Sequence, residues 1–276
     1  MQKLLKIKKN LIYSYMQGRF SKKIGANYQH FPIDNWHNEF KQAKRFNFDA
    51  VEWIITDFSN PIFNEEFVNI IKKKMSFNKI KMNSISLDVI MNKSLFTIDN
   101  KDLLWLLDKL EIVIKIFKVK RISVPIEEES KYNNFLQKNK ALKNLSLILR
   151  KLSKKTQICI ETDLSPKAIK NIFKQNKFEN LGLLLDIGNT RANGYDIEEY
   201  LSYFPEKIYS IHIKYRDENF GKTRTLTNLK FYELEHVLKN INKLKNLKDI
   251  CFQTFRSDNK FISDMNSFIR NYNRYV

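Results

Sequence analysis

Gln157 to Pro166, QICIETDLSP, is the stretch whose reading decides the fold. Ile158 and Ile160 alternate into Glu161, and a turn closes at Ser165 and Pro166. A short apolar run bounded by turn residues reads as a buried strand. A carboxylate as the last residue of such a run is unusual, because an ionised group is costly to bury unpaired. Taken alone, the stretch is equally well a strand whose Glu has emerged into a solvated loop.

Repetition separates the two readings. Leu183-Leu184-Leu185 runs into Asp186, Ile208 to Ile211 runs into His212, and Ile250-Cys251-Phe252 runs into Gln253. Each interval is long enough for the crossover helix that joins parallel strands. Successive strands ending in metal-compatible or acid/base groups are what a (β/α)8 barrel places at its C-terminal face.

The rest of the chain keeps the rhythm. Strands are expected at Leu11 to Met16, Ala50 to Ile54, Lys81 to Leu87, Arg121 to Pro125, Gln157 to Glu161, Gly182 to Ile187, Ile208 to Lys214 and Asp249 to Thr254. The helices between them are expected at Trp36 to Phe46 (capped by Asp34 or Asn35), Glu65 to Lys74, Lys101 to Phe117 (capped by Asp99 or Asn100), Asn133 to Lys155, one opened by Pro166, Asp196 to Phe204, and Phe231 to Leu244. A last helix is capped by Ser257 or Asp258. Eight alternations with no Gly-, Ser- or Pro-rich linker predict one parallel α/β domain over residues 1–276, closed as a TIM barrel. No G-x-G-x-x-G or Walker motif speaks for an open nucleotide-binding sheet.

Composition bounds the function classes. The 276 residues are 43% hydrophobic, enough for a core. No apolar run approaches the roughly 20 residues of a membrane span. The basic N-terminus lacks a signal-peptide core. A cytoplasmic protein is expected, with no membrane partner. Cys159 and Cys251 both fall inside strands, so neither a disulfide framework nor a zinc framework is expected. The net charge of +19 points to nucleic acid or an anionic substrate only if it is organised. The lysines are scattered over helix faces with no basic stripe interleaved with aromatics, so the charge reads as composition. A phosphorylated substrate stays compatible with it.

Glu161, Asp186, His212 and Gln253 share the chemistry of a divalent-cation site. Carboxylate oxygen and imidazole nitrogen suit Mn²⁺, Co²⁺, Zn²⁺ or Mg²⁺. Such an ion polarises a carbonyl or hydroxyl of a sugar. Gln17 and Arg19 follow the first strand and are placed to face the same pocket. Glu52 and Trp53 end the second strand, and alternation sends one inward and one outward. Trp53 and Trp36 read as helix–strand packing.

The motifs ETDLSP, DIGN, HIK and QTFR resemble those of the xylose isomerase-like TIM barrels, the sugar phosphate isomerase/epimerase superfamily that also contains endonuclease IV. MQGRFS at 16–21, HFPIDNWHNEF at 30–40 and FDAVEWI at 48–54 are similar to one subgroup's opening signatures. The resemblance spans Tyr13 to Arg256. It implies that Glu161, Asp186, His212 and Gln253 hold the metal, that Glu161 is also the proton-transfer base, and that Glu52 faces inward.

Three departures bear on activity. The family's fourth ligand is usually Glu, and Gln253 can coordinate but cannot take a proton. Asp88 and Glu52 are the candidates to replace it, and the sequence places neither. Tyr215 stands where the family often has Asp. The loop after the seventh strand, GKTRTLTNLKF, holds one glycine, Gly221. Lys214, Arg216 and Arg256 are the side chains left to meet a phosphate. The leading expectation is a metal-dependent isomerase or epimerase of a sugar or sugar phosphate. The alternative is a catalytically impaired barrel that binds a sugar or a protein partner. Apurinic-site cleavage is a third reading, disfavoured because of the four histidines only His212 ends a strand. Nucleic acid is therefore not the expected partner, and the sequence leaves the oligomeric state open.

Overall fold

Period-two alternation sorts each strand into a face toward the barrel axis and a face toward the helices. Tyr13, Tyr15, Trp53, Ile85, Ile122, Ile160, Leu185, Ile211, Ile213 and Phe252 belong to one large buried apolar cluster. The alternating partners are small or polar: Ser14, Glu52, Ser84, Arg121, Ser123, Glu161, Asp186, Ser210, His212 and Asp249, all buried. In the computed structural model these strands close into a parallel barrel in sequence order. Their bounds are β1 Ile12–Met16, β2 Ala50–Ile54, β3 Lys81–Ser86, β4 Arg121–Ile126, β5 Gln157–Thr162, β6 Leu181–Asp186, β7 Ile208–Ile213 and β8 Asp249–Phe252. The structure describes residues 3–7, 10–23, 25, 29–217, 219, 221–224, 232–253, 256 and 261–274.

Helices Trp36–Phe46, Glu65–Asn78, Asn100–Phe117, Phe135–Lys151, Pro166–Gln175, Ile197–Tyr203, Tyr232–Asn240 and Phe261–Tyr272 alternate with the strands. The barrel is one domain of the (β/α)8 class, as the alternation predicts. Pairing of β1 with β8 closes it, with Ser14 opposite Cys251. Among the described residues no helix is long and apolar enough to cross a membrane.

Cap chemistry settles several boundaries. Asp99, not Asn100, caps the helix after β3, accepting from Asp102 N at 2.7 Å. Ser165 accepts from Ala168 N ahead of Pro166, whose missing N–H costs nothing at a helix start. The helix before β5 starts at Phe135 and stops at Lys151, shorter at both ends than the periodicity implies. Asp186 ends β6 by capping Ile187–Ala192, a short helix where the sequence reads a turn. Thr254, the cap at Ser257 or Asp258, and residues 225–231 lie outside the described residues.

Two register shifts adjust the barrel, at Val51/Glu52 in the β2–β3 pair and at Leu183/Leu184 in the β6–β7 pair. The first leaves Ser84 opposite Glu52, whose Oε2 accepts from Ser84 Oγ at 2.7 Å. Bulges of this kind re-aim side chains. Below the strand ends, Arg121 ties β2, β4 and β8 together. Its Nη2 donates to Glu52 Oε2, and its Nε donates to Asp249 Oδ2 at 3.0 Å. Asp249 also accepts from Ser210. TIM-barrel interiors are usually filled by branched apolar layers; this one carries an ionic plug.

Candidate metal centre and active-site cleft

The C-terminal strand ends surround a cleft of about 350 Å³. Arg19 and Met16 line it from β1 and its loop, Asp88 from the turn after β3, Glu127 and Glu128 from the turn after β4, and Glu161 from β5. Lys214, Arg216, Gln253 and Arg256 line it from the ends of β7 and β8. Asp186 and His212 lie behind this wall, buried. Gln17 and Glu52, both expected at the substrate, do not line it. Gln17 is turned onto β2, its Oε1 accepting from Ile54 N at 3.3 Å. Glu52 faces inward as expected, while Trp53 packs outward on Trp36 with ring centroids 6.2 Å apart.

Donor atoms of Glu161, Asp186 and His212 all lie within 4.8 Å of one another. Three consecutive strands deliver them, with Asp186 directly opposite His212 in the sheet register. His212 Nδ1 faces Glu161 Oε1 at 3.3 Å, and Nε2 faces Glu52 Oε1 at 2.9 Å. A carboxylate behind a ligating imidazole fixes the ring's orientation and tautomer. Burial by itself pushes the imidazole pKa down, but Glu52 and Glu161 outweigh it and hold the ring well above its usual value. Two carboxylates and one imidazole around a common space form a donor set that fits a divalent cation.

A second group, Glu52, His212 and Cys251, shares His212. Its carboxylate is already committed to Arg121, and burial raises the Cys251 thiol away from the thiolate a metal needs. The first group is the better site.

Asp186 is held on both oxygens. Oδ1 accepts from Asn189 N at 2.8 Å, and Lys214 Nζ lies 3.5 Å from Oδ2. Burial lowers the Lys214 pKa, but Asp186, Glu127 and Glu161 raise it further, so the ammonium stays charged. The other cleft cations are also anchored. Arg216 donates to Glu128 Oε1 at 2.8 Å and to Asn189 Oδ1 at 2.9 Å. Arg256 donates to the carbonyls of Ser21 and His30 at 3.1 and 2.8 Å. Arg19 donates to Gln29 Oε1 at 2.5 Å, and burial beside Arg256 lowers it to about 10.

Gly18 has φ +92°, a left-handed conformation that favours glycine, and a Cβ there would meet Arg256 Nη1 at 2.9 Å. Glu39 pins this turn from the first helix, accepting from Gly18 N, Phe20 N and Ser21 Oγ.

Glu127 is the residue that sequence reasoning missed. It is buried in the cleft wall and accepts from Asn189 Nδ2 at 2.6 Å. Burial first, then the charge of Glu161, raises its carboxyl well above the usual range. Asp88, accepting from Ser86 Oγ at 2.6 Å, is pushed up by burial to about 6.

No protein-family model matches the sequence, and no curated protein matches it. Solved structures do. A xylose isomerase domain protein from Planctomyces limnophilus superposes with a TM-score of 0.72 over 96% of both chains at 12% identity. The chain has the fold of the xylose isomerase-like TIM barrels. Another barrel of that fold, from Mycobacterium smegmatis in complex with magnesium, gives a TM-score of 0.70 over 97% of this chain and 98% of that one, at 13% identity. D-psicose 3-epimerase with D-tagatose, from Clostridium cellulolyticum H10, gives 0.68 over 96% and 99%, at 12% identity. Identities this low establish a common xylose isomerase-like fold and leave chemistry to be argued from the site.

Proposed function

We propose that the protein is a divalent-cation-dependent isomerase or epimerase of a sugar or sugar phosphate. One observation carries this reading: Glu161, Asp186 and His212 bring their donor atoms within 4.8 Å of one another at the ends of three successive strands, with Glu161 also on the cleft wall. The magnesium in the Mycobacterium barrel and the D-tagatose in the Clostridium epimerase support it. A bound ion supplies Lewis-acid polarisation of a substrate oxygen.

Within that frame Glu161 is the proton-transfer base, placed both at the ion and in the cleft. Gln253 cannot carry a proton on the opposite side. Glu127 and Asp88 put two further carboxyl groups in the same cleft, and Asp88, at about 6, is suited to proton exchange near neutral pH. Lys214, Arg216, Arg19 and Arg256 line the same wall as Asp88, Glu127, Glu128 and Glu161, and are the side chains able to meet the phosphate of a sugar phosphate.

Gln253 favours a second reading, a barrel that binds a sugar or a protein partner without turning it over. Apurinic-site cleavage has less support. Both metal-capable groups among the described residues use His212 alone of the histidines, and His236 is exposed against Glu198.

The test is proton exchange. With Mn²⁺ and a panel of ketoses and ketose phosphates in D₂O, the wild type is expected to wash out a carbon-bound proton, read by NMR, and Glu161→Gln to stop it. Metal-bound protein that exchanges nothing across the panel overturns the isomerase in favour of the binding barrel.

A further inference from the structure

Gln253 follows β8 beside Asp186, and its amide has two orientations. With Nε2 toward Asp186 Oδ2 at 3.2 Å and Oε1 toward Arg19 Nη2 at 3.3 Å, both ends are paired. The opposite orientation sets oxygen against oxygen and N–H against N–H. Only that opposite orientation offers the amide oxygen to an ion beside Asp186. Coordination by Gln253 therefore turns an amide donor onto a guanidinium, which has only donors. A glutamate here meets no such conflict, because one carboxylate oxygen can face the ion while the other accepts from the arginine.

Asp186 Oδ2 also receives the Lys214 ammonium at 3.5 Å. The ligand carboxylate is thus held by an amide and an ammonium together on the side that faces β7 and β8.

We propose that Gln253 is a strut between Asp186 and Arg19 and not a ligand, so the cation has three protein ligands and its remaining positions open onto the cleft. The inference rests on the metal-centre reading above and refines it. A three-ligand site with open positions is the arrangement that lets substrate oxygens bind the ion directly. Arg19 then acts through Gln253 as a positioning residue for Asp186.

The experiment is calorimetric titration with MnCl₂ of the metal-stripped wild type, Gln253→Ala and Asp186→Asn, beside the visible spectrum of the Co²⁺-loaded proteins. Circular dichroism checks that each variant is folded. The expected result is a Gln253→Ala dissociation constant within about threefold of wild type, an unchanged Co²⁺ spectrum, and an Asp186→Asn affinity at least tenfold weaker, the scale seen when a metal site loses a supporting group. Folded Gln253→Ala that loses Mn²⁺ as severely as Asp186→Asn, or whose Co²⁺ bands shift, overturns the strut while the metal centre stands. Wild type that takes up no ion overturns both.

Discussion

His212 rests on Glu52, its Nε2 lying 2.9 Å from Glu52 Oε1 in the closed interior of the barrel. The same carboxylate is ion-paired through its other oxygen to Arg121. Burial works against the ionised form, but Arg121 and His212 overcome it and hold Glu52 well below the usual carboxylate range. The imidazole thus stands on a permanent negative charge, with Nδ1 aimed at the space it shares with Glu161. Glu52→Gln removes that charge and frees the tautomer. Mn²⁺ affinity, measured by calorimetry, is expected to fall about 10- to 100-fold in a protein whose circular dichroism is unchanged. Unaltered affinity contradicts the supporting role.

Lys214 competes with the ion for Asp186. An ammonium 3.5 Å from the ligand carboxylate lowers the local negative potential that attracts a dication. Lys214→Met is therefore expected to bind Mn²⁺ about tenfold more tightly, a difference of roughly 1.4 kcal/mol. Weaker binding by this variant sinks the competition and makes the lysine a support of Asp186.

Arg121 is the hub of the ionic plug. Arg121→Met leaves Glu52 and Asp249 buried without their cation. Breaking one side of a buried pair costs about 3–5 kcal/mol. Urea unfolding is expected to show a loss of that order, and a loss under about 1 kcal/mol contradicts the account.

The architecture was legible because alternation and apolar runs are local signals. β2 and the helix Trp36–Phe46 fall on the expected residues, and the left-handed turn at Asn47 closes the helix, although Asn35 makes no side-chain capping bond at its start. Glu161, Asp186 and His212 were legible because each ends an apolar run. Glu127 escaped although it obeys the same rule, because Pro125 reads as a strand end while β4 continues to Ile126 and into the run Glu127 to Glu129. Arg121 escaped because a cation at the start of a strand reads as an exposed edge. Its partners, Glu52 and Asp249, lie far away in sequence, and only closure of β1 on β8 brings them together. One partner of Gln253, Arg19, lies in the loop after β1, which has no periodicity to read.

Glu39 ties the floor of that loop to pH. Burial raises its carboxyl to about 7, despite hydrogen bonds from Gly18, Phe20 and Ser21 that favour ionisation. A carboxylate raised on folding contributes its full stability below the unfolded value near 4.5 and loses it as pH rises through about 7. The wild type is therefore expected to lose roughly 3 kcal/mol between pH 4 and pH 8 relative to Glu39→Gln. Thermal melts of both proteins across that range check it; parallel curves contradict it.

The proposed cation site of Glu161, Asp186 and His212 stands or falls on metal uptake. Its most direct test is calorimetric Mn²⁺ titration of metal-stripped wild type beside His212→Ala, both confirmed folded. One ion per chain is expected in the wild type, with binding weakened at least a hundredfold in the variant. No uptake by the wild type, or equal uptake by the two, contradicts it.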